Sequence, residues 1–250
     1  MTELLQINGQ TITDQEIISL LAGYQLLPYL WREIITEQAI APFTCTPEES
    51  AKAYQHFCTQ NQLTTETERQ VWLARHGMTL EQLKALATRG LRIETFKQAT
   101  WGHKLESYYL SRKSQLDKVI YSLIRLKDMG LAQELYFRIQ EGEQSFADVA
   151  RAYSQGPEAQ TNGLIGPVEL NSIHPTMAQL LCVSQPTQVH PPIVIGEWLV
   201  IMRLEKFIPT QFDEAMRQRL LNELFAAWLQ EQLAKVSSAH LLNAATIAMA

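Results

Sequence analysis

The sequence predicts an α+β protein, in which a helical N-terminal domain is closed by a C-terminal helix and a β-α-α-β-α-β-β module is inserted between them. Three observations carry this. Helix-start signals recur through residues 1–117. From Lys118 the pattern changes to β-branched apolar runs of strand length, separated by short helices. After Pro209 the three- and four-residue apolar spacing returns, on a helix with no local partner. The expected division is therefore 1–117, 118–209, a closing helix over 210–235 that packs on the first domain, and an uncharged tail over 236–250.

Each element has a local reason. Asn8-Gly9 sits between two short apolar runs and suits a tight turn. Thr13-Asp-Gln-Glu16, Thr46-Pro-Glu-Glu49, Thr65-Glu-Thr-Glu68 and Thr79-Leu-Glu-Gln82 are capping boxes, each opening a helix. Pro28 suits a first helical turn, ahead of Leu30, Trp31, Ile34 and Ile35 on one face. Gly77 and Gly90 are placed as C-terminal caps, and a longer helix is expected from Leu91 to Asp117. In the module, Val119–Ile124 reads as a strand, Leu131, Leu135 and Ile139 mark a helix, and Ser145-Phe-Ala-Asp148 starts another. A strand near Leu164–Val168, a helix over Pro175–Cys182, and strands Val189–Ile195 and Trp198–Glu205 follow. The last two are joined at Gly196-Glu197.

Charge narrows the function. The 250 residues hold 21 Lys+Arg against 26 Asp+Glu, a net charge of −5, which argues against a nucleic-acid binder. Leu170 to Gly196 contains no charged residue at all. It is no membrane span, because Pro175, Pro186, Pro191 and Pro192 interrupt it and polar residues dilute it. The start of the chain lacks a basic segment followed by an apolar one, and Cys45, Cys58 and Cys182 form no disulfide framework. A cytoplasmic, reducing location is the expectation. Cys45, His56 and Cys58 match no standard zinc spacing, so no metal is expected.

The module resembles the parvulin-type (PpiC-like) peptidyl-prolyl cis-trans isomerases. The likeness is carried by Leu131–Glu141 with its Gln-Glu-Gly ending, by Ser145-Phe-Ala-Asp-Val-Ala-Arg-Ala-Tyr-Ser154, by Asn162-Gly-Leu-Ile-Gly166, and by the closing Arg203-Leu-Glu205. The helical flanks are similar to those of SurA/PrsA-like chaperones. The resemblance implies a pocket for a proline ring at Ile165, Ile173 and Met177, with Val168, His174 and Leu199 as neighbours. It places the family's polar cluster on Ser122 and Val200, where two histidines are replaced, and near Gln155, where the family has Cys or Asp. What it implies is a folding factor that binds extended, Pro-containing or apolar client segments, with weak or no isomerase activity and no cofactor. Two alternatives stand beside it: an active isomerase with a substituted site, and a non-catalytic adaptor partnered with an export-machinery component.

Overall fold

The computed structural model describes residues 3–7 and 10–248, and side chains at 12, 13 and 16–236. The chain forms two compact units: residues up to 105 with those from 217 on, and residues 106–216. The second unit is thus an insertion, wider than 118–209 at both ends.

In the first unit, β1 (Glu3–Ile7) pairs antiparallel with β2 (Gln10–Thr13). The Asn8-Gly9 turn lies outside the described residues. Five helices follow: α1 (Asp14–Gly23), α2 (Leu27–Ile40), α3 (Pro47–Gln60), α4 (Glu66–His76) and α5 (Leu80–Trp101). All four capping boxes form, with Glu16, Glu49, Glu68 and Gln82 accepting from the backbone N–H of the cap threonine. Gly77 ends α4 in the left-handed conformation, where a side chain would be strained. Gly90 does not end a helix: α5 runs through it, and the break falls at Gly102. An interior glycine costs about 1 kcal/mol, and α5 offsets this by burying Leu83, Phe96 and Trp101. Phe96 lies 5.2 Å from Trp228 and 6.1 Å from Phe225, both on α10 (Glu214–Ala248). Lys97, 5% exposed, is held beside them by Glu94 at 2.6 Å and Asn222 at 2.5 Å. The backbone of α10 stays helical to Ala248, beyond the expected end at 235.

The second unit opens with α6, which spans Leu105–Leu116 and all but its first residue belongs here. Then come β3 (Lys118–Leu126), α7 (Met129–Gln140), α8 (Phe146–Tyr153), β4 (Leu164–Glu169), α9 (Pro175–Val183), β5 (Val189–Ile195) and β6 (Trp198–Ile208). The sheet order is β4-β3-β6-β5, all antiparallel. β5 is an edge strand and carries Pro191 and Pro192, which have no N–H to donate. The two central strands are apolar on both faces, because both faces are covered. Ile124, Leu126, Leu199 and Ile201 pack with Leu135, Phe146 and Val149 of α7 and α8. Val119, Tyr121, Leu123, Val200, Met202 and Leu204 pack with Met177 and Leu181 of α9. A bulge leaves Glu205 unpaired between the pairs Ile120↔Lys206 and Tyr121↔Leu204.

The two ends of the inserted strands are tied together. Asp117, 5% exposed, accepts from the backbone N–H of Thr210 at 2.7 Å and from its hydroxyl at 2.9 Å. Lys113 pairs with the same carboxylate at 3.1 Å, and the Tyr109 hydroxyl donates to the Thr210 carbonyl at 2.7 Å. Replacing Asp117 by Ala removes the acceptor of the part-buried Thr210 N–H and hydroxyl and is expected to cost about 1–3 kcal/mol, read as a lower denaturant midpoint. A second check uses His190 on β5. Its Nε2 lies 2.5 Å from the Ser184 hydroxyl, whose own proton goes to the Leu180 carbonyl, so the imidazole donates. Burial lowers the His190 pKa from 6.5, so as pH falls below that value the unfolded chain gains a proton before the folded one does. Unfolding midpoints should therefore drop as pH falls through and below the unfolded value of about 6.5, and His190→Gln should flatten that part of the slope.

Candidate functional site

Strand alternation decides which side chains reach the α9 side of the sheet. Tyr121, Leu123 and Arg125 of β3 share a face, as do Val200 and Met202 of β6, and the register sets Arg125 opposite Val200. β4 presses close to β3 to shape this region. Gly163 and Gly166 have φ of +84° and +116°, and a Cβ on Gly166 would lie 2.6 Å from the Val119 carbonyl. Glycine is required there on both counts. His174 caps α9: its Nδ1 accepts from the Thr176 N–H at 3.3 Å, which leaves the ring proton on Nε2.

Together these elements enclose a pocket of about 240 Å³. Leu123, Met177 and Val200, each 6% exposed or less, form its floor with Ile173. Tyr121, Arg125, Ser172, His174, Ile195 and Trp198 complete the walls. This is below the ~300–1,000 Å³ of a drug-sized site, so it suits one ring or one side chain. Burial pushes the Tyr121 phenol up from its ordinary value, while the Arg125 charge pulls it down and Glu158 pushes it up again. A larger cleft of about 820 Å³ lies along α9, between Gln115, Leu170, Ala178 and Cys182, and shares Ile173 with the pocket. The residues lining this cleft carry no charge, and many come from the uncharged stretch.

Behind the pocket wall is a buried polar group that sequence reading missed. Glu158 has a side chain 1% exposed, and one oxygen lies 2.9 Å from Arg125 Nη2. Its other oxygen accepts from the Ser154 hydroxyl at 2.6 Å, and that hydroxyl accepts from the Arg125 backbone N–H at 3.0 Å. The carboxylate folds over Gly156, where a Cβ would stand 2.3 Å from it.

Of the residues expected here, the pocket brings together Ile173, His174, Met177 and Val200. Ile165 and Val168 pack on the same layer without lining it. Leu199 points to the opposite layer, against α7 and α8. Ser122 also stands on that side, paired with Arg203, and its hydroxyl donates to Glu205 at 2.5 Å. A polar cluster of Ser122 with Val200 is thereby corrected: a step of one residue along a strand changes the face. The pocket-facing neighbour is Leu123. Gln155 is exposed, and its N–H donates to the Arg125 carbonyl at 2.9 Å without its lining the pocket. The signal that would have found Tyr121, Leu123 and Arg125 is their common parity with Val119.

Residues 128–206 match the family model described as Rotamase: PPIC-type PPIASE domain. Peptidylprolyl isomerase PrsA from Bacillus cereus superimposes with a TM-score of 0.53 at 17% identity, covering 94% of this chain and 91% of that one. PrsA from Bacillus anthracis gives 0.46 at 18% identity, over 84% and 97% of the two chains. One of two SurA-like chaperones from Campylobacter jejuni gives 0.37 at 14%, over 97% and 98%. The last two superimpose too loosely to add to the first, and at these identities the likeness is one of fold. No curated protein matches. Among the described residues, no helix is long and apolar enough to cross a membrane, and no cluster of three metal-ligating side chains occurs.

The assignment of faces has a direct check. Ser122→His drives an imidazole into the packed layer under α7 and α8 and should cost about 1–3 kcal/mol of stability. The NMR signals of Met177 and Trp198 should stay in place, since both lie on the other side of the sheet.

Proposed function

Because residues 128–206 form a PpiC-type parvulin domain within a PrsA-like fold, we propose that the chain is a folding factor with weak or no isomerase activity. It binds extended client segments by taking one prolyl or apolar side chain into the 240 Å³ pocket. The observation that carries this reading is the pocket floor. Of the central-strand residues that reach the pocket, the two at its floor are Leu123 and Val200, both buried and apolar, while Tyr121, Arg125 and Trp198 stand in its walls. An apolar floor binds a ring equally well whether the preceding amide is planar or twisted. Such uniform binding gives affinity without lowering the ~18–20 kcal/mol rotation barrier. The uncharged cleft along α9 supports an extended client, because apolar or neutral chain meets no charge there that must be stripped of water. Three unpaired cysteines support a reducing, cytoplasmic setting for this work.

The test pairs binding with rate. A capped Pro-containing peptide should perturb the NMR signals of Met177, Ile195 and Trp198, and prolyl isomerisation should run at or near its spontaneous rate. Ile173→Asp, at a half-buried position, should weaken binding about tenfold or more with little change in melting temperature. Isomerisation accelerated by orders of magnitude would overturn the weak-activity reading, and peptide that leaves these signals unmoved would overturn the pocket itself.

A further inference from the structure

The pocket wall holds one cation whose donors are only partly used. Arg125 lines the pocket with its side chain 31% exposed. Its guanidinium meets Glu158 through Nη2 at 2.9 Å and its Nε is buried without a hydrogen-bond partner, while the remaining Nη hydrogens make no hydrogen bond to another described side chain or carbonyl. The Glu158 oxygen facing it has no other hydrogen-bond partner, so the ion pair with Nη2 is what holds that oxygen. The guanidinium is therefore held in place, neutralised by a carboxylate it cannot lose to solvent, and still able to donate.

We propose that Arg125 anchors the client by donating to a neutral main-chain carbonyl beside the side chain that fills the pocket, and that Glu158 tunes it away from acidic partners. The inference rests on the pocket reading above and adds the chemistry recognised at its wall. A bare guanidinium prefers a carboxylate or phosphate. Here the pair of side chains sums to zero charge, and an acidic ligand would face Glu158 only a guanidinium away. A main-chain carbonyl takes the open donors without that repulsion. A donor on the carbonyl oxygen of the prolyl amide also favours the planar form, in which that oxygen carries most charge. Arg125 then tightens the grip on the client without speeding rotation, in keeping with a binder.

The test uses the full chain and two labelled, capped peptides, acetyl-Ala-Ala-Pro-Leu-amide and acetyl-Ala-Glu-Pro-Leu-amide, read by anisotropy. The wild-type protein should bind the neutral peptide more tightly. Arg125→Met, which keeps the apolar stem, should bind it about tenfold more weakly. Glu158→Gln should shift the preference toward the Glu peptide by about tenfold. If Arg125→Met does not fold, Arg125→Lys retains the pairing charge and should still lose affinity, because the fork of donors is gone. In the wild-type protein, the guanidinium NMR signals of Arg125 should move on adding the neutral peptide. Equal affinity of wild-type protein and Arg125→Met, or a wild-type preference for the Glu peptide, overturns this inference and leaves the pocket reading intact. Absence of any peptide effect at Met177 and Trp198 overturns both.

Discussion

The pairing of β3 with β6 is the constraint on which the rest of the second unit depends. These are the first and last strands of the insertion, and they lie side by side at the centre of the sheet. The chain thus enters and leaves at one place, and Asp117 can reach across to Thr210. Closing so long a loop is entropically costly, and a long central ladder with a buried carboxylate at its end is what offsets it. Every other element of the unit is hung on that ladder: α7 and α8 on one face, α9 on the other, β4 and β5 at the sides.

The ladder also determines the chemistry. With both faces buried, the two central strands need apolar side chains in both directions, and a polar residue on them must find a partner at once. Ser122 finds Glu205, the bulged residue of the neighbouring strand. Arg125 sits at the end of the pocket face and finds Glu158 from the loop after α8. The result is a pocket that is apolar below and carries one balanced charge pair in its wall.

Much of this was legible in the sequence where causes are local. Each capping box is a four-residue signal, and each formed. The strands and helices of the module follow from periodicity, and Ile173, Met177 and Val200, all singled out through the resemblance, line one cavity. What sequence reading missed depends on distant partners. Gly90 is tolerated inside α5 because aromatic residues more than a hundred positions away cover the same helix. Ser122 and Leu123 are adjacent in sequence, and only pairing with β6 says which one faces α9. Arg125 and Glu158 are 33 positions apart, and no spacing rule joins a strand residue to a turn.

The two prolines of β5 carry a consequence for any protein that handles unfolded chains. Sheet margins attract extended segments through main-chain pairing, the route by which aggregates grow. Pro191 and Pro192 supply no N–H to the edge strand, and a register break between His190 and Ile193 distorts the margin further. A client cannot be zipped onto the domain as a fifth strand along that side. An extended chain lying along this margin meets side chains and prolyl rings where a row of open N–H groups would otherwise stand, so this side of the sheet offers no template on which a further strand could grow.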